Sequence, residues 1–263
     1  MPNFASKTIK TPAGRFSYSD NGSGPTRLLL HSLLTDRTAF DDVTEALGGR
    51  VIALDLPGFG STDPTEANID DYALRVAVFI KAMNLDQDLT LVGNGLGAFV
   101  ALGTAIHHGD LLGNLLLVGC GAGFPEPAKP AFAGMAEAAE TGGMEAVAPV
   151  AIRRIFTEEY LAANPAIAEE RAAILLRTDP EAFITACRAL QNLDYSELAG
   201  LVTVPTMIVV GEDDQATPPE LAEELHKLIP GSQLIRMPAI AHAPQLQDPE
   251  GFIKATRIFL EGQ

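Results

Sequence analysis

The stretch Leu89-Thr90-Leu91-Val92-Gly93-Asn94-Gly95-Leu96-Gly97-Ala98 decides how the rest of the chain is interpreted. Its first four residues are mainly apolar and predict a short buried strand. Small residues follow, and from Leu96 to about His108 the pattern is that of a helix. The stretch therefore predicts a strand, a sharp turn and a helix, with Gly95 at the turn.

Three interpretations of this turn compete. It resembles a nucleophile elbow, G-x-S-x-G, in which position 95 would carry Ser, Cys or Asp instead of Gly. It also satisfies G-x-G-x-x-A, the dinucleotide fingerprint, or its glycines only pack a helix closely onto a strand. The fingerprint belongs in the first βαβ unit, with an acidic residue ending the next strand. Here Leu115–Val118 leads into Gly119-Cys120-Gly121 instead, so we favour the elbow.

Strand and helix patterns alternate on both sides of the turn. Before it we predict a hairpin at 6–11 and 15–19, strands at 27–32 and 51–55, and helices at 40–47 and 69–83. Residues 124–198 show only helical patterns, at 132–139, 144–155, 167–176 and 180–193. The alternation then resumes with strands at 206–210 and 233–237 and helices at 219–228 and 249–260. We expect an α/β fold with a mostly parallel sheet covered on both faces, a core of residues 1–123 and 199–263, and a helical cap of residues 124–198.

The composition and net charge of the chain limit the classes of molecule that it is expected to bind. The chain has 263 residues and a net charge of −16, which argues against binding nucleic acid or an anionic membrane surface. Residues 1–7 contain no apolar signal core and no run is long enough to span a bilayer, so we expect a cytoplasmic protein. Cys120 and Cys187 show no metal-site spacing. We expect no metal and no organic cofactor, and the sequence leaves the oligomeric state open.

Two polar positions follow later strands. An acidic turn, Gly211-Glu212-Asp213-Asp214, comes directly after the strand at 206–210, and His242 follows the last strand. Ligands of open parallel sheets bind beyond the carboxyl ends of the strands. Turn, acid and histidine thus share one edge, in the chain order of a Ser-Asp-His triad on an α/β sheet.

These motifs resemble the α/β-hydrolase superfamily over the whole chain and, within it, the 3-oxoadipate enol-lactonase group. The stretch 31–36, His-Ser-Leu-Leu-Thr-Asp, is similar to that group's N-S-L-G-T-D loop, and 55–61, Asp-Leu-Pro-Gly-Phe-Gly-Ser, matches the superfamily's D-x-P-G-x-G-x turn. Residues 156–160, 163–165 and 211–219 also resemble the lactonase group.

The resemblance implies roles for particular residues. Asp214, with Asp213 as second choice, would orient His242, which would act as general base. The backbone N–H groups of Leu33 and Leu96 would form the oxyanion hole. Further candidates, for substrate binding, are Leu34, Phe40, Arg153, Arg154 and Phe156. Of the two adjacent arginines we choose Arg154 as the one that points inward, toward an anionic substrate.

The departures from the family pattern matter for the chemistry. Gly95 has no nucleophile, Leu34 replaces a glycine and narrows the mouth, His31 replaces Asn, and Phe40 stands where Trp is common. Three explanations of Gly95 remain: an inactivated variant, a hydrolase in which His242 activates water, or a ligand-binding protein without catalysis. We expect hydrolysis of a small lactone or ester, an enol-lactone first, with carbon–carbon bond hydrolysis as the alternative enzyme class.

Overall fold

Eight strands form one sheet in the computed structural model, which describes residues 4–85 and 88–261. The strands are β1 Lys7–Thr11, β2 Gly14–Gly22, β3 Thr26–Leu30, β4 Arg50–Leu54, β5 Thr90–Asn94, β6 Asn114–Val118, β7 Thr206–Gly211 and β8 Gln233–Met237. Their order is β1-β2-β4-β3-β5-β6-β7-β8. β2 pairs antiparallel with β1 and β4, and every other described pair is parallel. The predicted α/β sheet is confirmed.

Ten α-helices surround the sheet in the described part of the chain. They are α1 Asp41–Leu47, α2 Ile69–Ala82, α3 Leu96–His108, α4 Pro130–Ile155, α5 Glu158–Ala163, α6 Pro165–Leu175, α7 Pro180–Gln191, α8 Pro219–Leu228, α9 Pro244–Gln247 and α10 Pro249–Leu260. The predicted helices at 96–108, 219–228 and 249–260 match α3, α8 and α10. The two shortest helices, α5 and α9, were not predicted because they are too brief to show a helical period.

The two faces of the sheet are covered by different helices because side chains alternate along each strand. On β3, Leu28 and Leu30 pack in the cluster that includes residues of α2, α3 and α8. Leu29, between them, belongs to the cluster built with α1 and α10. The carboxyl ends of the parallel strands remain free of these layers, and this edge carries the candidate site.

Helices α4 to α7 form an insertion between β6 and β7. α4 is interrupted at Gly143, whose φ of 66° and ψ of −170° are not helical. The break separates the two helical patterns predicted at 132–139 and 144–155. Inward-facing residues of the insertion, among them Phe132 and Phe183, join the core cluster on the α3 side, so the insertion packs against the sheet edge.

Some sequence-based expectations lie partly outside the described residues. Residues 1–3, 86–87 and 262–263 belong to the predicted core segments, and residues 1–3 to the segment judged to lack a signal core. Within the described ranges, no helix combines the length and the apolar character needed to cross a bilayer.

Candidate active site

Gly95 occupies the turn between β5 and α3 in a conformation suited to glycine. Its φ is 53° and its ψ is −118°, a region that side-chain-bearing residues enter only under strain. Gly97 serves a different purpose, because a Cβ there would lie 2.2 Å from the carbonyl oxygen of Leu30. The Gly97 N–H donates to the carbonyl of His31 at 2.9 Å. The turn is thereby held against the loop that follows β3.

His242 and Asp214 form a hydrogen-bonded pair beside this turn. His242 Nδ1 lies 2.9 Å from Asp214 Oδ2, and both side chains are buried. Asp214 Oδ1 accepts from the backbone N–H groups of Ala216 and Thr217, and Oδ2 from the Thr217 hydroxyl at 2.7 Å. Burial alone would raise the pKa of Asp214, but the charge of His242 and the hydrogen bonds from His242 and Thr217 outweigh it and lower the pKa. An ionised Asp214 keeps the proton of His242 on Nδ1, which leaves Nε2 free to accept a proton.

The loop that carries His242 is tied to the elbow by Asn94. Its Nδ2 donates to the His242 carbonyl at 2.9 Å, and its Oδ1 accepts from Gln245 Nε2 at 3.0 Å. Asn94 is fully buried at the end of β5. The imidazole is therefore positioned from two sides, by the acidic turn after β7 and by the residue preceding Gly95.

Ser32 completes a hydrogen-bonded row that the sequence analysis did not single out. Its hydroxyl lies 3.1 Å from His242 Nε2. An ideal Cβ built on Gly95 would lie 2.4 Å from Ser32 Oγ and 2.5 Å from His242 Nε2. The sequence signal that could have pointed to Ser32 is a hydroxyl two positions after the end of β3, at the same sheet edge as the elbow. Sequence alone does not bring it to a histidine 210 positions away.

Two backbone N–H groups face this region without an acceptor. Those of Leu33 and Leu96 donate to no protein atom among the described residues, and both residues line the cavity. The Ser32 carbonyl accepts from His31 Nδ1–H at 2.8 Å and from the Thr35 N–H at 3.2 Å. Because a trans peptide holds its C=O and N–H on opposite sides, this anchoring directs the Leu33 N–H the other way. The pair has the composition of an oxyanion hole.

His31 has a structural task in this loop. It is fully buried, and its Nε2 accepts from the Leu56 N–H at 3.1 Å while Nδ1–H donates to Ser32. Burial lowers the pKa of His31, so the ring stays neutral and keeps one tautomer. His31 thereby fixes the backbone that presents Ser32 and Leu33.

The cavity at the elbow is mainly apolar. It encloses about 360 Å³, open mouth included, and a ligand much larger than a few waters requires lining side chains to move. Its lining comprises Ser32, Leu33, Leu34, Gly95, Leu96, Phe99, Phe124, Phe132, Met135, Arg154, Leu190, Ala216, Thr217 and His242. Most of the apolar residues that line the cavity were not predicted from the sequence, because their pattern is the same as that of residues in the hydrophobic core.

The structure separates the residues expected to bind substrate. Leu34 and Arg154 line the cavity. Arg153 and Phe156 line an outer groove beside the acidic turn, which Arg154 also reaches. Phe40 is placed elsewhere: its buried ring belongs to the cluster between the sheet and α1 and α10. It lies in the short 3-10 turn that leads into α1, which directs it to the opposite face of the sheet, so assigning Phe40 to substrate binding was wrong.

Arg154 differs from the other arginines of the insertion. It is half-buried and makes no hydrogen bond or ion pair among the described residues. Arg153, Arg177 and Arg188 are exposed. Arg171 is fully buried and contacts the Thr38 hydroxyl and Glu170. Among the described residues that line the cavity, Arg154 is therefore the guanidinium available to a ligand.

Comparisons with known proteins agree with this geometry. A family model described as alpha/beta hydrolase matches residues 28–255. A pimeloyl-acyl-carrier protein methyl ester esterase of Neisseria meningitidis is 31% identical over 244 residues, 89% of this chain and 76% of the relative. A thermophilic esterase of Thermogutta terrifontis, with malate bound, superposes with a TM-score of 0.88 at 28% identity over 98% of both chains. An enol-lactonase of Burkholderia xenovorans LB400 shares the fold, with a TM-score of 0.91 at 23% identity over 97% of this chain and 100% of that one. The chain belongs to the alpha/beta hydrolase family.

Proposed function

We propose that the chain hydrolyses small carboxylic esters or lactones, with an anionic lactone of the enol-lactone type as the first candidate. The observation that carries the proposal is the position of His242. Its Nε2, backed by the ionised Asp214, faces the elbow and shares one cavity with the unpaired N–H groups of Leu33 and Leu96. Acyl transfer requires this combination: a base beside a nucleophile and two donors for the oxyanion.

The nature of the cavity supports a small substrate with a negative charge. Its walls are apolar apart from the polar groups beside His242 and the Arg154 guanidinium. A guanidinium binds both oxygens of a carboxylate in one plane. The esterase of Thermogutta terrifontis, the relative solved with malate, provides a family precedent for a bound carboxylate. We therefore infer that Arg154 holds a carboxylate of the substrate while the ester carbonyl lies at the elbow.

The experiment measures hydrolysis of p-nitrophenyl acetate and butyrate by the native chain, by Gly95→Ser and by Gly95→Ser with His242→Ala. Removing the nucleophile of a triad costs about a millionfold in kcat in a well-studied protease, so we expect Gly95→Ser to raise the rate by orders of magnitude. The introduced side chain needs the Ser32 hydroxyl to rotate away and the His242 ring to shift, because an ideal Cβ at position 95 would lie 2.4 Å from Ser32 Oγ and 2.5 Å from His242 Nε2. The added histidine substitution should abolish the gain.

Folding is checked by circular dichroism, because a serine at a positive φ costs about 1–2 kcal/mol. A Gly95→Ser variant that folds and hydrolyses neither ester would contradict a hydrolytic site. If small esters then raised the melting temperature without turnover, the protein would be a ligand-binding member of the family.

A further inference from the structure

The Ser32 hydroxyl occupies the space that the missing side chain at position 95 would take. Ser32 Oγ lies 2.4 Å from the ideal Cβ of residue 95, which is far inside van der Waals contact. The Ser32 side chain in its present rotamer and any side chain at position 95 therefore exclude each other.

The hydroxyl is also connected as a nucleophile must be. Ser32 is buried, with 1% of its surface exposed, and it lines the cavity. Its hydroxyl has one hydrogen-bond partner among the described residues, His242 Nε2 at 3.1 Å. Since the His242 proton lies on Nδ1 toward Asp214, Nε2 is the acceptor and Ser32 Oγ–H the donor. Asp214, His242 and Ser32 thus form an acid–base–hydroxyl row in which the hydroxyl comes from the loop after β3.

The oxyanion donors lie next to this hydroxyl. The Leu33 N–H belongs to the residue directly after Ser32, and the Leu96 N–H to the residue after Gly95. Both line the cavity into which Ser32 faces. In the nucleophile elbow, too, one oxyanion donor follows the nucleophile directly in the chain.

We propose that Ser32 is the nucleophile of this chain and forms an acyl-enzyme; this rests on the proposed ester or lactone hydrolysis. Ser32 Oγ bonds to the substrate carbonyl carbon as its proton passes to His242 Nε2, and the carbonyl electron pair moves to the oxygen held by Leu33 and Leu96. The bond to the leaving oxygen then breaks, and that oxygen takes the proton from His242. Water adds to the acyl group, gives a proton to His242, and the Ser32–carbonyl bond breaks as Oγ recovers that proton. The products are the alcohol and the acid, or one hydroxy acid from a lactone, which becomes the keto acid when the lactone is an enol-lactone.

The test combines covalent labelling with a pair of variants. The native chain is treated with a fluorophosphonate, which phosphonylates activated serines, and the modified residue is located by tandem mass spectrometry. Ester hydrolysis is then compared between the native chain, Ser32→Ala, and Ser32→Ala combined with Gly95→Ser. We expect the label on Ser32, a loss of about a hundredfold or more in Ser32→Ala, and recovered activity with the label at position 95 in the double variant.

The outcomes separate this proposal from the proposed function. If the native chain hydrolyses ester, carries no label on Ser32 and is unaffected by Ser32→Ala, another nucleophile acts and the proposal is overturned. If the native chain is inactive and unlabelled while the double variant is active, Ser32 is likewise excluded and the hydrolytic site stands. If no form hydrolyses ester although all fold, both proposals fail. The label on the native chain reads out Ser32 even if the alanine variant does not fold.

Discussion

At the scale of single residues, Arg153 and Arg154 lie next to each other in the last turn of α4 but have different surroundings. Successive helix residues are about 100° apart, so Arg154 reaches the cavity while Arg153 stays on the outer surface. We expect Arg154→Ala to lower kcat/KM about 10- to 100-fold for an ester that carries a carboxylate, the value of a charged hydrogen bond. A neutral ester of the same size should be spared. Arg153→Ala, which removes the same charge one position away, should leave both rates unchanged.

The effect of the arginine substitutions on kcat/KM is measured with the p-nitrophenyl monoesters of glutaric acid and of valeric acid. The substitutions are made in whichever variant of the chain hydrolyses esters fastest. Equal losses on both esters would mean that Arg154 shapes the cavity and binds no carboxylate. If Arg153→Ala instead lost activity on the anionic ester, Arg153 in the outer groove would be the residue that binds the carboxylate.

From the sequence, a residue can be located in the fold where a motif states its position. Asp214 and His242 follow recognisable turns; in the structure His242 Nε2 lies beside Gly95, and Asp214 is hydrogen-bonded to Nδ1 on the other side of the imidazole. Ser32 and Phe40 show the limit. The role of the Ser32 hydroxyl depends on His242, which is distant in the chain. The direction of the Phe40 side chain depends on how its short turn enters α1. Neither is encoded in local spacing.

At the scale of elements, the first residue of α1 carries a carboxylate whose ionisation opposes folding. Asp41, its first residue, is half-buried, and burial together with the nearby charge of Asp36 raises its pKa to about 6. The folded state then binds this proton more tightly than the unfolded chain. The resulting stability is fully present below about pH 4 and is lost as the pH rises through about 6. At pH 8 the ionised Asp41 therefore destabilises the fold.

We expect Asp41→Asn to raise the melting temperature at pH 8 by about 2 °C, with the gain shrinking as the pH falls to 5. Solvent screening of a half-exposed group and the favourable helix dipole keep the gain within roughly 1 kcal/mol. Asp42→Asn is the matched control, since it removes the same charge from the next, exposed position. Thermal unfolding at both pH values measures the effect, and an equal gain in both variants would point to net charge instead of burial.

Helical periodicity and strand runs predicted most elements because both reflect burial of one face against the core. The helices α3, α8 and α10 and the strand β8 match their predicted residues, and the break of α4 at Gly143 falls between two predicted helices. The order of strands in the sheet was not predicted from the sequence. Pairing is a long-range property that a single sequence does not display.

At the scale of the whole molecule, the net charge opposes an anionic substrate. The chain carries −16, and the groove beside Arg154 is also lined by Glu158, Glu159, Glu212 and Asp213. These exposed charges act over distances that salt screens, whereas a contact with Arg154 inside the cavity is screened much less. Raising the salt concentration therefore removes more repulsion than attraction.

We expect kcat/KM for the glutarate monoester to rise severalfold between 10 and 200 mM salt, because the Debye length falls from about 30 Å to under 10 Å. The neutral valerate ester should show no such dependence. The comparison is made at constant pH with sodium chloride, and Arg154→Ala serves to separate local from global charge: its residual rate on the anionic ester should rise at least as steeply. A fall in the anionic rate with salt would mean that attraction by cations near the cavity dominates the approach of the substrate.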